Sequence, residues 1–213
     1  MTQLILVRHG TTDANVRVPY ILQGSGIDLS LNENGRQQAA LVAKFLAKFP
    51  VRHVYASTLK RASETAGMIA HQHSLSVTEI AELVECNVGH WEGKDWDTIA
   101  QEHPDAYRLF HADPATQPYL GGESYSDVLV RSLPVFERLL QQHLGETIVV
   151  VAHNIVNRAF VAHLLGLEMR RAKELAQGNC CVNIIQHHAG KNSLVTMNAI
   201  FHLDETRAAA ATL

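Results

Sequence analysis

The chain has 213 residues, 46% of them hydrophobic, and a formal net charge of -3 from 18 basic and 21 acidic side chains. That length and apolar content suffice for a sizeable core in one domain, and a mildly acidic balance without a run of Lys or Arg argues against a nucleic-acid surface. No segment reaches the roughly 20 apolar residues of a membrane helix, and the N-terminus lacks the basic flank and apolar stretch of a signal peptide, so a cytoplasmic location without a membrane partner is expected.

Leu4 to Val7 are four consecutive aliphatic residues and predict a buried first strand, closed by Arg8, His9 and Gly10. A loop rich in turn formers, QGSGIDLSLNENG (residues 23–35), leads into a helix through GRQQAALVAKFLAKF. There Ala39, Val42, Ala43, Leu46 and Phe49 recur at helical spacing, and Pro50 ends the run. VRHVYAS (51–57) predicts the next strand, Leu59 to about His73 a second helix, and SLSVTEIAELVE a further short strand. From Cys86 to Gly122 the periodicity weakens into a stretch with two Trp, two Tyr and three Pro. Such a segment suits an inserted cap over a site better than a central element. A long amphipathic helix follows from about Glu123 to Leu144, with Pro134 as a kink point. TIVVVAH (147–153) is the clearest buried strand, NIVNRAFVAHLLG a helix directly behind it, and CCVNIIQHH and NSLVTMNAIFHL a closing hairpin turning at Ala189 to Asn192. The tail ETRAAAATL carries no assignable role. Alternating helices and strands predict a three-layer α/β/α sandwich with a mixed, largely parallel sheet and a helical cap at about 86–122. Three cysteines, Cys86, Cys180 and Cys181, form no spaced CxxC pair and read as reduced thiols.

Two of these strands end in histidine, at His9 and His153. Ligands of open α/β sheets bind at the carboxyl ends of the strands, so the two imidazoles are expected to meet. STLKRASETA places Arg61 just inside a helix at the same edge. Arg8, Arg61, His9 and His153 together suit a dianionic tetrahedral oxyanion, and phosphate matches each part: guanidinium groups bind its oxygens in pairs and helix N-termini add backbone donors. A neutral imidazole in the right tautomer is a competent nucleophile toward phosphorus, and cationic surroundings keep it neutral. Glu85, at the start of the aromatic segment, is the candidate general acid, with burial raising its pKa.

LVRHGTTDAN, ASTLKRASETA, the Glu85 segment ending GHWEG, GGES and VVVAHNIVNR stand in the order and at roughly the separations of the histidine phosphatase superfamily, in its phosphoglycerate-mutase-like branch. The chain resembles that family from residue 6 to residue 158. The resemblance implies that His9 is transiently phosphorylated, that Arg8, Arg61 and His153 complete the phosphate pocket, and that Glu85 donates the proton. It also implies that Asn15 reaches the phosphoryl group and that Gln23 and Gly24 border the substrate. No metal and no cofactor are expected. The partner is a small phosphorylated metabolite, and a homodimer is left open. Where many members have His-Gly this chain has His153-Asn154, and Asn154 either contacts substrate or caps its helix.

Other residues have plainer readings. Metal sites at His71 and His73 or at His187 and His188 are disfavoured by ligand geometry. Glu82 reads as a solvated charge and Glu64 as a partner orienting Arg61 one helical turn away. Trp91 and Trp96 either line the pocket or pack the cap, and Glu123 and Ser124 cap the long helix. The reading is a phosphomonoester hydrolase. A phosphoglycerate mutase is the alternative, disfavoured because only 27 residues separate Gly93 from Gly121, and a silent phosphate- or phosphopeptide-binding module is a second one.

Overall fold

The computed structural model describes residues 1–203; the tail ETRAAAATL lies outside them. Six strands form one sheet in the order β3-β2-β4-β1-β5-β6. They are β1 (Thr2–Arg8), β2 (Val51–Ser57), β3 (Val77–Ile80), β4 (Thr147–Ala152), β5 (Val182–His188) and β6 (Lys191–Ala199). β3, β2, β4 and β1 run parallel, while β5 pairs antiparallel with both β1 and β6. The sheet is therefore mixed and largely parallel, as the alternating pattern predicts.

The period-2 geometry of a strand sends successive side chains to opposite faces. In β1, Leu4 and Leu6 join one core while Ile5 and Val7 join the other. The second core is closed by α2 (Glu33–Leu46) and α3 (Lys60–Gln72), which contribute Val42, Leu46, Ala66 and Ile69. The first is closed by α6 (Tyr125–Gln142) and α7 (Asn154–Leu164), whose Phe136 and Phe160 rings stack 4.0 Å apart. Truncating either ring to Ala would cost about 3–5 kcal/mol, the usual range for a buried aromatic. α6 runs unbroken through Pro134.

Between β3 and α6 the chain leaves the sheet for a 3₁₀ turn (Gly89–Trp91), α4 (Trp96–Glu102) and α5 (Pro104–Ala112). The two tryptophans divide the roles the sequence left open. Trp91 is fully buried, edge-on to Trp96, Phe110 and Tyr119, and packs the cap; Trp96 lines the cavity beneath it.

One close approach sets the loop after β1. A Cβ on Gly35, in the first turn of α2, would lie 2.0 Å from the Thr11 carbonyl oxygen, so only glycine lets the helix start against that loop. The short helix α1 (Asp13–Val16) follows, with a capping box joining Thr12 and Asn15.

Candidate active site

β1 and β4 are parallel neighbours with Arg8 opposite Ala152, so the residues that follow, His9 and His153, emerge side by side. Their rings lie 5.1 Å apart, and both side chains are buried. His9 Nδ1 is 2.7 Å from the carbonyl oxygen of Gly10. A carbonyl only accepts, so Nδ1 carries the proton and Nε2 keeps its lone pair. Burial, then Arg61 and Arg8, hold His9 well below the usual imidazole value; burial, Arg61, His9 and Arg8 do the same to His153. Both rings are neutral at physiological pH.

The loop bearing His9 is fixed on three sides. Gly10 N–H donates to Thr65 Oγ1, which donates to the Arg61 carbonyl, tying the loop to the first turns of α3. Asn179 Nδ2 donates to the His9 carbonyl, and Cys180 N–H to that of Arg8. Arg8 Nη1 donates to the Gln177 carbonyl at 2.5 Å. Arg61 is fully buried, with Nη1 and Nη2 on the carbonyls of Ile27 and Gly24. Glu92 holds that loop in turn, accepting from Gly24 N–H and Gly26 N–H. Glu64, expected to orient Arg61, instead accepts from Leu31 N–H: it serves the loop, because the guanidinium already has two backbone carbonyls.

Several buried polar atoms at this edge have no hydrogen-bond partner among the described residues: Nε of Arg8 and of Arg61, both ring nitrogens of His153, and Oδ1 of Asn154. Such orphans are rare in interiors, and the N–H donors among them, on Arg8, Arg61 and His153, suit an anion, whereas the Asn154 oxygen can only accept.

A cavity of about 270 Å³ opens beside them. Arg8, His9, Asn15, Gln23, Glu85 and Asn154 line it, together with four aromatic side chains and Arg158. Arg61, His153 and Gly24 do not: the first two stand buried against His9, and Gly24 contributes a carbonyl that anchors Arg61. Glu85 Oε1 accepts from Cys86 N–H and from Ile155 N–H in the first turn of α7. Glu82 is exposed, as expected of a solvated charge. Asn154 does not cap α7; His153 holds that position with an extended backbone. Ser124 caps α6 through a box with Asp127, whereas Glu123 takes another task, accepting from Asn87 N–H and pairing with Arg131, which itself holds the Glu82 and Glu85 carbonyls.

The sequence reading missed Glu92, Gln177 and Arg158. Arg158 had a findable signal, since it stands four residues after Asn154 and so on the same helix face.

A family profile described as "Histidine phosphatase superfamily (branch 1)" matches residues 4–200. Phosphoserine phosphatase 1 of Hydrogenobacter thermophilus is 31% identical over 205 residues, 96% of each chain. The metal-independent phosphoserine phosphatase of Arabidopsis thaliana is 34% identical over 207 residues, 95% of this chain and 84% of its own. Among solved structures, YhfR of Bacillus stearothermophilus superposes with a TM-score of 0.88 at 30% identity, covering 96% of this chain and 100% of its own. With the paired strand-end histidines, the cationic pocket and a match over nearly the whole chain agreeing, this protein belongs to the histidine phosphatase superfamily, branch 1.

Proposed function

We propose that this small-molecule phosphatase works through a phosphohistidine on His9 Nε2, and that its substrates carry a second anionic group, a carboxylate as in phosphoserine, met by Arg158. The carrying observation is the His9 Nδ1–H donated to the Gly10 carbonyl, which leaves Nε2 free beside Arg8, Arg61 and His153. In the first step Nε2 attacks phosphorus, the ester P–O bond breaks, and protonated Glu85 gives its proton to the leaving alcohol oxygen. In the second, a water deprotonated by Glu85 attacks phosphorus, the P–N bond breaks, and phosphate leaves with His9 restored. Arg8, Arg61, Asn15 and His153 hold the transferring group, and the fixed positive charge of the two arginines favours the charge it gathers.

The second half of the reading rests on Arg158. It lines the cavity, its Nε is held by the Leu175 carbonyl, and among the described residues no carboxylate pairs with it. Phosphoserine is the substrate named for two relatives over nearly the full chain. Three free, buried thiols, with burial pushing Cys181 up to about 11, fit a reducing cytoplasm.

Rapid quenching during turnover should trap an alkali-stable, acid-labile phosphate on His9, and His9→Ala should lose about five orders of magnitude in kcat, as nucleophile losses do elsewhere. A trapped phosphoserine or phosphoaspartate overturns the mechanism, and interconversion of 2- and 3-phosphoglycerate faster than phosphate release overturns the hydrolase reading. Arg158→Met should raise KM for phosphoserine by about 10-fold or more, the worth of a charge-assisted hydrogen bond, while leaving p-nitrophenyl phosphate unaffected. Equal loss with both substrates refutes the second-anion role.

A further inference from the structure

At the opposite end of the sheet from His9, three potential metal ligands converge. His53 is on β2, two residues before Tyr55 and therefore on the same face. His143 caps the C-terminus of α6, and a turn through Gly145, whose φ of 89° suits glycine, brings Glu146 to the start of β4. β4 pairs with β2, His53 opposite Ile148, so the turn sits over His53. Glu146 Oε2 lies 3.3 Å from His53 Nε2 and 2.7 Å from His143 Nδ1. All three candidate ligand atoms fall within 4.8 Å of one another.

We propose that His53, His143 and Glu146 form a zinc site, with water as the fourth ligand. Two imidazole nitrogens and one carboxylate oxygen are a donor set zinc accepts, and three protein ligands leave one position open. Tetrahedral bonds of about 2.0–2.1 Å put ligand atoms about 3.3 Å apart. The His53–Glu146 separation already has that value, and the His143–Glu146 pair must open by roughly half an ångström. The side chains of His53 and Glu146 are 45% and 39% exposed, which gives an ion access, whereas His143 is 11% exposed and fixed.

A second observation supports the same end. A metal-ligating histidine usually has its other ring nitrogen held by a polar group, and His143 Nε2 lies 2.8 Å from the Tyr55 hydroxyl. In the metal-free state Nδ1–H donates to Glu146 and Tyr55 O–H donates to Nε2. On binding, the imidazole takes its other tautomer: Nδ1 gives its lone pair to zinc, Nε2–H donates to the Tyr55 oxygen, and the hydroxyl proton turns to solvent. No net proton is released.

The site lies about 17 Å from the catalytic edge, the length of five residues of strand, and is independent of the phosphatase mechanism. The resemblance implies no metal at the phosphate pocket, and the histidine pairs weighed in the sequence are 71 and 73 and 187 and 188; this triad draws instead on positions 53, 143 and 146.

The test is titration of zinc chloride into the chelator-treated full chain, followed by calorimetry, with cobalt(II) absorption as a second readout. One equivalent should bind, with a tetrahedral cobalt spectrum, and His53→Gln and Glu146→Gln should each weaken it at least 10-fold. His53 is half-exposed and holds no buried partner, so its variant folds even if one at His143 does not. Retention of full affinity in His53→Gln would place the ion elsewhere, at His9 and His153 for instance, and overturn the inference. So would loss of affinity in His71→Gln/His73→Gln or His187→Gln/His188→Gln, or no binding at all.

Discussion

At the carboxyl end of β1 and β4, His9 and His153 lie 5.1 Å apart, where burial and then the buried Arg61 and Arg8 hold both rings neutral. At the amino end of β2 and β4, His53 and His143 lie 4.2 Å apart and share one carboxylate oxygen. The same side chain thus meets opposite surroundings at two ends of one sheet. Where cations and burial crowd an imidazole, it stays neutral, and its spare lone pair is available to an electrophile. Where a carboxylate and a phenol serve it, its nitrogens are satisfied, and it either stabilises the fold or awaits a cation. Proximity of two histidines carries little information; the charges around them carry most of it.

The strongest way to sharpen this contrast is at Glu85, the acid that lines the cationic cavity. Glu85→Gln keeps its shape but removes the proton. Phosphorylation of His9 by an alkyl phosphate should slow by about 100-fold or more, the usual worth of acid catalysis. The pre-steady-state burst with p-nitrophenyl phosphate, whose leaving group needs no proton, should change far less. Equal slowing of both bursts would move Glu85 from proton transfer to positioning.

A smaller effect, of opposite sign at the two ends, tests the contrast itself. His153 has two buried nitrogens without partners, so His153→Leu should stabilise the fold by about 1–3 kcal/mol, the typical cost of buried unsatisfied groups, while turnover collapses. His143 has both nitrogens engaged, so His143→Leu should destabilise by about 1–2 kcal/mol and strand the Tyr55 hydroxyl. Urea denaturation of both variants gives the two signs; a shift in the same direction breaks the comparison.

The smallest effect is in the pH dependence. Folding holds His9 and His153 well below the imidazole value, so beneath about pH 6.5 the unfolded chain binds more protons than the folded one. The stability these neutral rings permit is complete above that pH. It declines as pH falls toward their folded values, at up to roughly 1.4 kcal/mol per pH unit for each. His153→Leu should flatten the decline between about pH 6.5 and 5 by one such contribution. Parallel declines in variant and wild type would show that His153 takes up its proton freely.

The sequence made β1 and β4 legible because burial on both faces leaves continuous aliphatic runs: Leu4 to Val7 and TIVVVAH carry them to their histidines, while VRHVYAS, only partly buried, coincides with β2 through its β-branched and aromatic residues. Arg8, His9 and Asn154 reach one cavity for the same reason, since they stand at the ends of β1 and β4; Glu85 comes instead after a 3₁₀ turn (Ala81–Leu83), because the strand expected through SLSVTEIAELVE stops at Ile80. What stayed hidden is held by backbone. Arg61 rests on the carbonyls of Ile27 and Gly24 and Arg8 on that of Gln177, and carbonyls leave no residue-type signature. Glu64, expected beside Arg61, serves the Leu31 N–H on this account, and the cluster of His53, His143 and Glu146 has no sequence signal because its parts come from separate elements.

The place of β1 in the sheet bears on how the chain emerges from the ribosome. β1 is flanked by β4 and β5, and the residue opposite Gln3 on β4 is Thr147, which is synthesised 144 positions later. At about 5–20 residues per second, Leu4 to Val7 stay without a strand partner on either side for roughly 7–30 s. β2 waits as well, having only the short β3 beside it until β4 arrives. Translation therefore delivers His9 long before His153, the ring that stands beside it in the folded chain. Throughout that interval Leu4 to Val7, fully buried in the folded chain, remain an unpaired apolar segment exposed to association.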